Sequence, residues 1–238
     1  MRQLSCSNYH LWKRLNGRFH EACERYRLLA DGDSVLIGLS GGKDSLLLTE
    51  LLGAQARIHV PHIRVQAVHV RVEGRNYQSD MNYLESFCHE AGVPLLVKDT
   101  QIKGEEKKDP CFLCSWYRRK VLLDTAQEMG CNKIALGHHR DDVLHTLLMN
   151  LVYEGRCTSI MPMLKLDKMP IAYIRPLWEI DEQDVQEYAA TREYQKQVKT
   201  CPFEKETART QMADLLKQLE TMNPNVRSSL IHSIIGNK

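Results

Sequence analysis

Between residues 35 and 52 the hydrophobic pattern of the chain changes once, and that change constrains the fold more than any other feature. Residues 35–39, Val-Leu-Ile-Gly-Leu, form an almost unbroken apolar run, which suits a strand buried on both faces of a parallel sheet. Leu46, Leu47, Leu48, Leu51 and Leu52 then recur at helical spacing. Ser40, Gly41, Gly42, Lys43, Asp44 and Ser45 therefore turn a strand into a helix, at the position where α/β proteins hold phosphates. The two glycines let the backbone turn tightly and approach a ligand. Successive N–H groups and the helix N-terminus favour an anion, and Lys43 adds a full charge. Ser40 and Ser45 offer hydroxyls, while Asp44 either caps the helix or helps to hold magnesium. A plain glycine turn with a serine cap and no ligand would use the same residues.

The alternation of short apolar runs with helical periodicity continues. It predicts strands at 65–70, 93–97, 133–136 and 171–174. Helices are predicted at 80–91, 116–129, 141–152, 181–190, 204–221 and 226–235. Ahead of the first strand, Leu11, Leu15, Phe19, Cys23 and Tyr26 mark an amphipathic helix that ends at Asp31-Gly32-Asp33. The fold class that follows is α/β, a doubly wound parallel sheet with an N-terminal helix and a helical C-terminal segment. We divide the chain into residues 1–30, 31–178 and 179–238.

A chain of 238 residues with 43% hydrophobic and 26% charged residues can bury a full core. It has no apolar run long enough for a bilayer and no secretory leader pattern, so a cytoplasmic location without membrane attachment is expected. The net charge of +2 does not by itself announce nucleic-acid binding. Local clusters, such as Arg118, Arg119 and Lys120, are either a solvated helix face or an RNA contact.

Counting excludes two common phosphate loops. The Walker pattern fails because Gly38 stands one residue too close to Gly42 and Asp44 follows Lys43; the dinucleotide fingerprint is absent. A second polar motif, Gly137-His138-His139-Arg140-Asp141-Asp142, joins a strand to a helix whose buried stripe is expected to be Val143, Leu144, Leu147, Leu148 and Leu151. It falls at the same sheet edge as the glycine loop. Asp141 and Asp142 are either dipole-favoured caps or catalytic and magnesium-holding groups.

The chain has eight cysteines. Cys6, Cys23, Cys88, Cys131 and Cys157 stand alone and read as small buried residues. Cys111 and Cys114 form a Cys-x-x-Cys pair, and Cys201 precedes a proline in a later break. In a cytoplasmic chain these three are candidates for metal ligands or reactive thiols.

The 40–45 motif after a buried strand resembles the pyrophosphate loop of the N-type ATP pyrophosphatases. With Asp31-Gly32-Asp33, Cys111-Phe112-Leu113-Cys114-Ser115, the 137–142 motif and Ile174-Arg175-Pro176-Leu177 in this order, the chain resembles the tRNA 2-thiocytidine synthetase family over about three quarters of its length. That resemblance implies the Rossmann-like fold of the adenine nucleotide alpha hydrolases. It also implies a tRNA sulfurtransferase in which ATP adenylylates the C2 oxygen of an anticodon-loop cytidine and sulfur then displaces AMP.

By the same resemblance, Leu39, Ser40, Gly41, Gly42, Lys43, Asp44, Ser45, His69, Val70, Gly137 and His138 bind ATP. Lys43, Asp141, Asp142 and Arg118 act in catalysis, Asp44 and Asp141 hold Mg2+, and Arg118, Arg119 and Lys120 contact RNA. Cys111, Cys114 and Cys201 would hold a [4Fe-4S] cluster, since three thiolates leave one iron free to carry sulfide. The family pattern has a second Cys-x-x-Cys where this chain reads Cys201-Pro202-Phe203-Glu204. A closed four-cysteine zinc site thus lacks its fourth thiolate, although a histidine could complete one. The implied partners are tRNA, a sulfur donor such as a cysteine desulfurase, and a second copy of the chain in a homodimer. Transfer to another tRNA base or to a small molecule would use the same motifs, and so would the nucleotide fold of a zinc-binding module without catalysis.

Overall fold

The computed structural model describes residues 6–58, 60–73, 77–78, 80–102, 110–195, 198–199 and 208–236, with side chains left undescribed at 6–8, 77–78, 110–111 and 198–199. Among the described residues the α-helices are α1 (Cys6–Arg25), α2 (Lys43–Ala56), α3 (Met81–Ala91), α4 (Pro110–Glu128), α5 (Arg140–Met149), α6 (Glu182–Thr191), α7 (Ala208–Met222) and α8 (Val226–Ile235). The strands are β1 (Ser34–Gly38), β2 (Arg64–Val72), β3 (Tyr77–Gln78), β4 (Leu95–Thr100), β5 (Lys133–Ala135), β6 (Met163–Lys165), β7 (Ala172–Ile174) and β8 (Val198–Lys199). Among the described residues, no helix is long and apolar enough to cross a membrane.

Six strands form one sheet in the order β4-β2-β1-β5-β7-β6. β4, β2, β1, β5 and β7 run parallel, and β6 returns antiparallel on β7 at the edge. Strand order reverses direction between β1 and β5. That switch point opens a crevice at the carboxyl edge, and the 40–45 loop and the 136–139 segment both lead into it.

The apolar run at β1 is buried on both faces because alternate side chains enter different cores. Val35 and Ile37 pack with Leu15 and Phe19 of α1, Leu46, Leu47 and Leu51 of α2, and Val185 of α6. Leu36 packs with Val68, Ile134, and Leu122 and Ala126 of α4. α5 is covered by the C-terminal helices: Val143 and Leu147 meet Trp178 and Ile234, while Leu144 and Leu148 meet Met212 and Leu216.

α6 is tied down along its length. Arg14 and Arg18 of α1 reach Asp184 and Asp181 at 2.8 and 2.9 Å. Glu50 of α2 accepts from the hydroxyls of Tyr188 and Tyr194 at 2.8 and 2.9 Å and also pairs with Arg192. The amino end of α6 is thereby held beside the start of α2. The Asp31-Gly32-Asp33 turn lies at the opposite, amino edge of the sheet. There Gly32 takes φ +82°, Asp31 accepts from the His62 N–H at 2.8 Å, and Asp33 neutralises the buried Lys133 at 2.7 Å.

Several boundaries differ from the sequence expectation for local reasons. α4 starts at Pro110 and not near 116, because proline is tolerated at a first helical position where its missing N–H is not needed. Cys114 is therefore inside the helix, not before it. β4 begins at Leu95, after a left-handed Gly92 at φ +70° and Pro94. Past Met149 the helix widens into one π-helical turn over Asn150–Glu154. The extra residue per turn rotates Leu151 out of the expected stripe, leaving it 39% exposed beside exposed Val152 and Tyr153. Cys23, Cys88 and Cys131 are buried as expected, whereas Cys157 is exposed. β6, which returns antiparallel on the expected β7, and the β3–β8 ribbon are additions to the expected elements.

Candidate functional site

The 40–45 loop closes on itself. Gly41 adopts φ +85°, a conformation that glycine reaches without a Cβ penalty. The Ser40 hydroxyl accepts from the Gly42 N–H at 3.3 Å and lies 3.1 Å from the Ser45 hydroxyl, which donates to the Gly42 carbonyl at 2.9 Å. Leu39, buried ahead of the loop, donates its N–H to the Val68 carbonyl. Its own carbonyl accepts from Nδ1 of buried His69 at 2.8 Å. Burial holds the His69 imidazole below its usual pKa, with Arg118 and Arg71 adding to the effect against the Leu39 hydrogen bond. The neutral ring thus braces the loop from β2. Val70 is half-buried one residue on, but β2 continues to Val72, so neither residue ends the strand.

Gly137 joins the two motifs. A Cβ there would lie 3.0 Å from the Asp44 carbonyl carbon and 3.1 Å from the Ser45 nitrogen, so any larger residue would press the segment after β5 against the first turn of α2.

Beyond Gly137 the charges gather. Lys43 Nζ sits 3.0 Å from both Asp44 Oδ1 and Glu182 Oε1. Burial opposes its charge, but the two carboxylates outweigh that and hold its pKa above the ordinary value. Burial likewise opposes the Glu182 carboxylate, and Lys43 outweighs it to keep the pKa low. Asp141 accepts from the Glu182 N–H at 2.7 Å, capping α6, and pairs with Arg227 at 2.8 Å. Asp142 accepts from the His139 N–H at 3.2 Å and pairs with Arg209 at 3.2 Å. Buried His139 stands among all three aspartates. Its Nε2 is 3.6 Å from both Asp44 and Asp142, and its Nδ1 is 3.9 Å from Asp141.

Comparison with known proteins shows the family of the chain. A family model described as a PP-loop domain matches residues 13–199. The chain belongs to the PP-loop domain family. Two relatives, from Geotalea daltonii and Alcanivorax borkumensis, each carry the name tRNA-cytidine(32) 2-sulfurtransferase. The first is 32% identical, covering 94% of this chain and 91% of the relative. The second is 34% identical, covering 90% and 77%. Among solved structures, the U34-tRNA thiolase NcsA from Methanococcus maripaludis with its [4Fe-4S] cluster superposes with TM-score 0.76 at 28% identity, covering 94% of this chain and 78% of that one. An NH3-dependent NAD synthetase from Campylobacter jejuni shares the fold with TM-score 0.50 at 15% identity.

The helix that carries Cys111 and Cys114 begins at the same edge as the PP-loop. α4 runs back from the carboxyl edge to the start of β5, so its first turns, with the Cys-x-x-Cys pair one turn apart, stand at that edge. Cys114 is a free, half-buried thiol. The Cys111 side chain and all of Cys201 lie outside the described residues, and among the described residues no group of three His, Cys, Asp or Glu forms a metal site. Cysteine sulfur is the donor that iron-sulfur groups take, and Cys114, the one of the three whose side chain is described, lies in the first turns of α4. Farther along α4, Arg118 is half-buried within electrostatic reach of His69, and Arg119 and Lys120 are exposed.

Sequence reading passed over five residues that the PP-loop fold brings here: Glu182, His139, Arg175, Arg209 and Arg227. His139 and Arg175 lay inside motifs already singled out. Glu182, Arg209 and Arg227 carry no local signal, because only the fold brings α6, α7 and α8 to the crevice.

Proposed function

We propose that this chain is an ATP-dependent tRNA sulfurtransferase that replaces the C2 oxygen of an anticodon-loop cytidine with sulfur. The observation that carries the reading is the convergence on one sheet edge of the PP-loop, the Asp141–Asp142 pair and the Cys-x-x-Cys helix, in a chain that spans nearly all of a relative named for this reaction.

In this reading the PP-loop N–H groups, the α2 N-terminus and Lys43 receive the β and γ phosphates of ATP. An arriving phosphate takes the place of Glu182 at Lys43. The cytidine C2 oxygen attacks the α-phosphorus and pyrophosphate leaves, its growing charge held by the same donors. A sulfur nucleophile then attacks C2, the C2–O bond breaks, and AMP departs with the oxygen. Asp44 and Asp141 would hold Mg2+ at the phosphates. A [4Fe-4S] cluster held by Cys111, Cys114 and Cys201 would supply an iron site able to carry the sulfur. Arg118, Arg119 and Lys120 would meet the RNA, a cysteine desulfurase would restore the sulfur, and the work would be done in the cytoplasm, by a homodimer.

A second reading keeps this chemistry and changes the base, because the structural neighbour NcsA is a U34-tRNA thiolase. Anaerobic purification with iron and sulfide analysis, an ATP-to-AMP assay with and without tRNA, and nucleoside mass spectrometry of tRNA from a deletion strain test both. We expect brown protein, tRNA-stimulated AMP, and loss of 2-thiocytidine in the deletion strain; loss of a thiolated uridine would select the second reading. Lys43→Ala should abolish AMP formation. Colourless protein containing zinc, or unchanged thiolated nucleosides, would overturn the proposal.

A further inference from the structure

The ends of β5 and β7 lie side by side at the carboxyl edge: Ala135 pairs in register with Ile174, and the Leu136 N–H donates to the Ile174 carbonyl at 3.0 Å. His138 follows the first strand end and Arg175 the second. Each keeps a buried nitrogen with no hydrogen-bond partner among the described residues, Nδ1 in His138 and Nε in Arg175. Arg175 is only 9% exposed, and its Nη1 donates to the Met161 carbonyl at 2.6 Å, which fixes the guanidinium plane. Arg119 from α4 and Arg209 from α7 stand within electrostatic reach of His138. The carboxylate facing this group is Asp142, already paired with Arg209.

An unanswered N–H on a buried guanidinium costs free energy, as does crowding three arginines around one neutral ring. Both costs vanish if an anion is the missing partner. We propose that His138 and Arg175 form the floor, and Arg119 and Arg209 the rim, of a phosphate subsite that receives a backbone phosphodiester of the RNA substrate beside the nucleotide being modified. The inference rests on the tRNA reading above and adds to it the place where the strand is gripped. An RNA phosphate fits better than a phosphate of ATP. The PP-loop has its own donors for the nucleotide, whereas the rim here is open, with the Arg209 side chain 52% exposed and Arg119 and Lys120 continuing the positive charge along α4. A strand can follow that path across the surface. Arginine at the floor suits the task, since its planar fork matches two phosphate oxygens. Such contacts position a strand without reading its sequence.

The test measures the affinity of the full chain for a fluorescent anticodon stem-loop RNA across a salt series, and separately its affinity for ATP. Arg175→Ala should weaken RNA binding about 10-fold or more, leave ATP binding unchanged, and lower the slope of log Kd against log salt by about one. Arg175→Lys should keep the slope, since the charge remains, yet still bind RNA several-fold more weakly. Arg209→Ala, at the exposed rim, should lower the slope by about one and carries the test if Arg175→Ala fails to fold. Weakened ATP binding with unchanged RNA binding would assign the phosphate to the nucleotide and overturn the inference. Unchanged RNA binding in Arg175→Ala and Arg209→Ala, with wild-type protein binding well, would overturn the inference alone. A wild-type protein that does not bind the RNA would overturn the tRNA reading and this subsite together.

Discussion

His138 and His139 are neighbours in sequence and face opposite electrostatic conditions. Around His139 the charges answer one another: Lys43 with Asp44 and Glu182, Arg227 with Asp141, Arg209 with Asp142. Around His138 three arginines, Arg175, Arg209 and Arg119, act with burial against the carboxylate of Asp142, which Arg209 also pairs. The first cluster is held by its own ion pairs, although His139 Nδ1 also lies buried without a hydrogen-bond partner among the described residues. The second stores unfavourable energy that a bound anion would release. One edge thus combines a wall of matched charges with a positive surface that a bound anion would complete.

Gly137 stands just before both histidines, so it offers the most severe way to break the comparison. In Gly137→Ala the added methyl would meet the Asp44 and Ser45 backbone at 3.0–3.1 Å. Backbone cannot step aside as a side-chain tip can, so β5 and α2 must separate. We expect AMP formation to fall on the order of 100-fold, since a small misplacement of reacting groups costs that much. Stability should fall by roughly 1–3 kcal/mol. Steady-state AMP release and urea unfolding of the same preparation check both. Full activity in a folded variant would mean that the two motifs need not touch.

The reach of sequence reading divides along the same line. The sheet and the PP-loop were legible because a strand buried on two faces leaves an apolar run, and a phosphate turn leaves adjacent glycines. Asp141 and Asp142 were legible as a motif, but their partners were not. Arg227, Arg209 and Glu182 come from α8, α7 and α6, and only tertiary packing brings them near. The Leu151 stripe failed because a π-helical turn has no compositional mark. The start of α4 was missed because Pro110 and the mixed charges ahead of it read as a break. Cys201 lies outside the described residues, so its expected role stays with the proposal.

Acid offers a milder probe of the unpaired side. Burial, reinforced by Arg175, Arg209 and Arg119 against the pull of Asp142, lowers the His138 pKa from 6.5 to about 4. As the pH falls below 6.5 the unfolded chain takes up a proton that folded His138 refuses until about pH 4. The contribution of this residue is therefore complete above pH 6.5 and lost on the way down to pH 4, at up to about 1.4 kcal/mol per pH unit. His145, also lowered by burial, acts with the same sign. The depressed carboxyl groups of Asp181 and Glu182 add their loss at more acid pH, below the ordinary carboxylate range. Urea midpoints of wild-type and His138→Gln protein should converge as the pH falls through this window. A constant difference between them would show that His138 titrates normally.

The smallest effect is expected on the paired side, where Glu182→Gln removes one charge and keeps the shape. Lys43 would lose its partner at 3.0 Å but keep Asp44, so the half-exposed pair should cost the free protein less than about 1 kcal/mol. ATP would no longer compete with a carboxylate for the lysine. Binding should tighten about 3- to 10-fold, roughly 1 kcal/mol, as read by equilibrium dialysis at fixed salt. The sign is what matters. Tighter binding marks Glu182 as a placeholder for phosphate that keeps the wall neutral while it waits, whereas weaker binding would make Glu182 part of the set that holds the nucleotide, and the self-sufficiency of the paired side would then be incomplete.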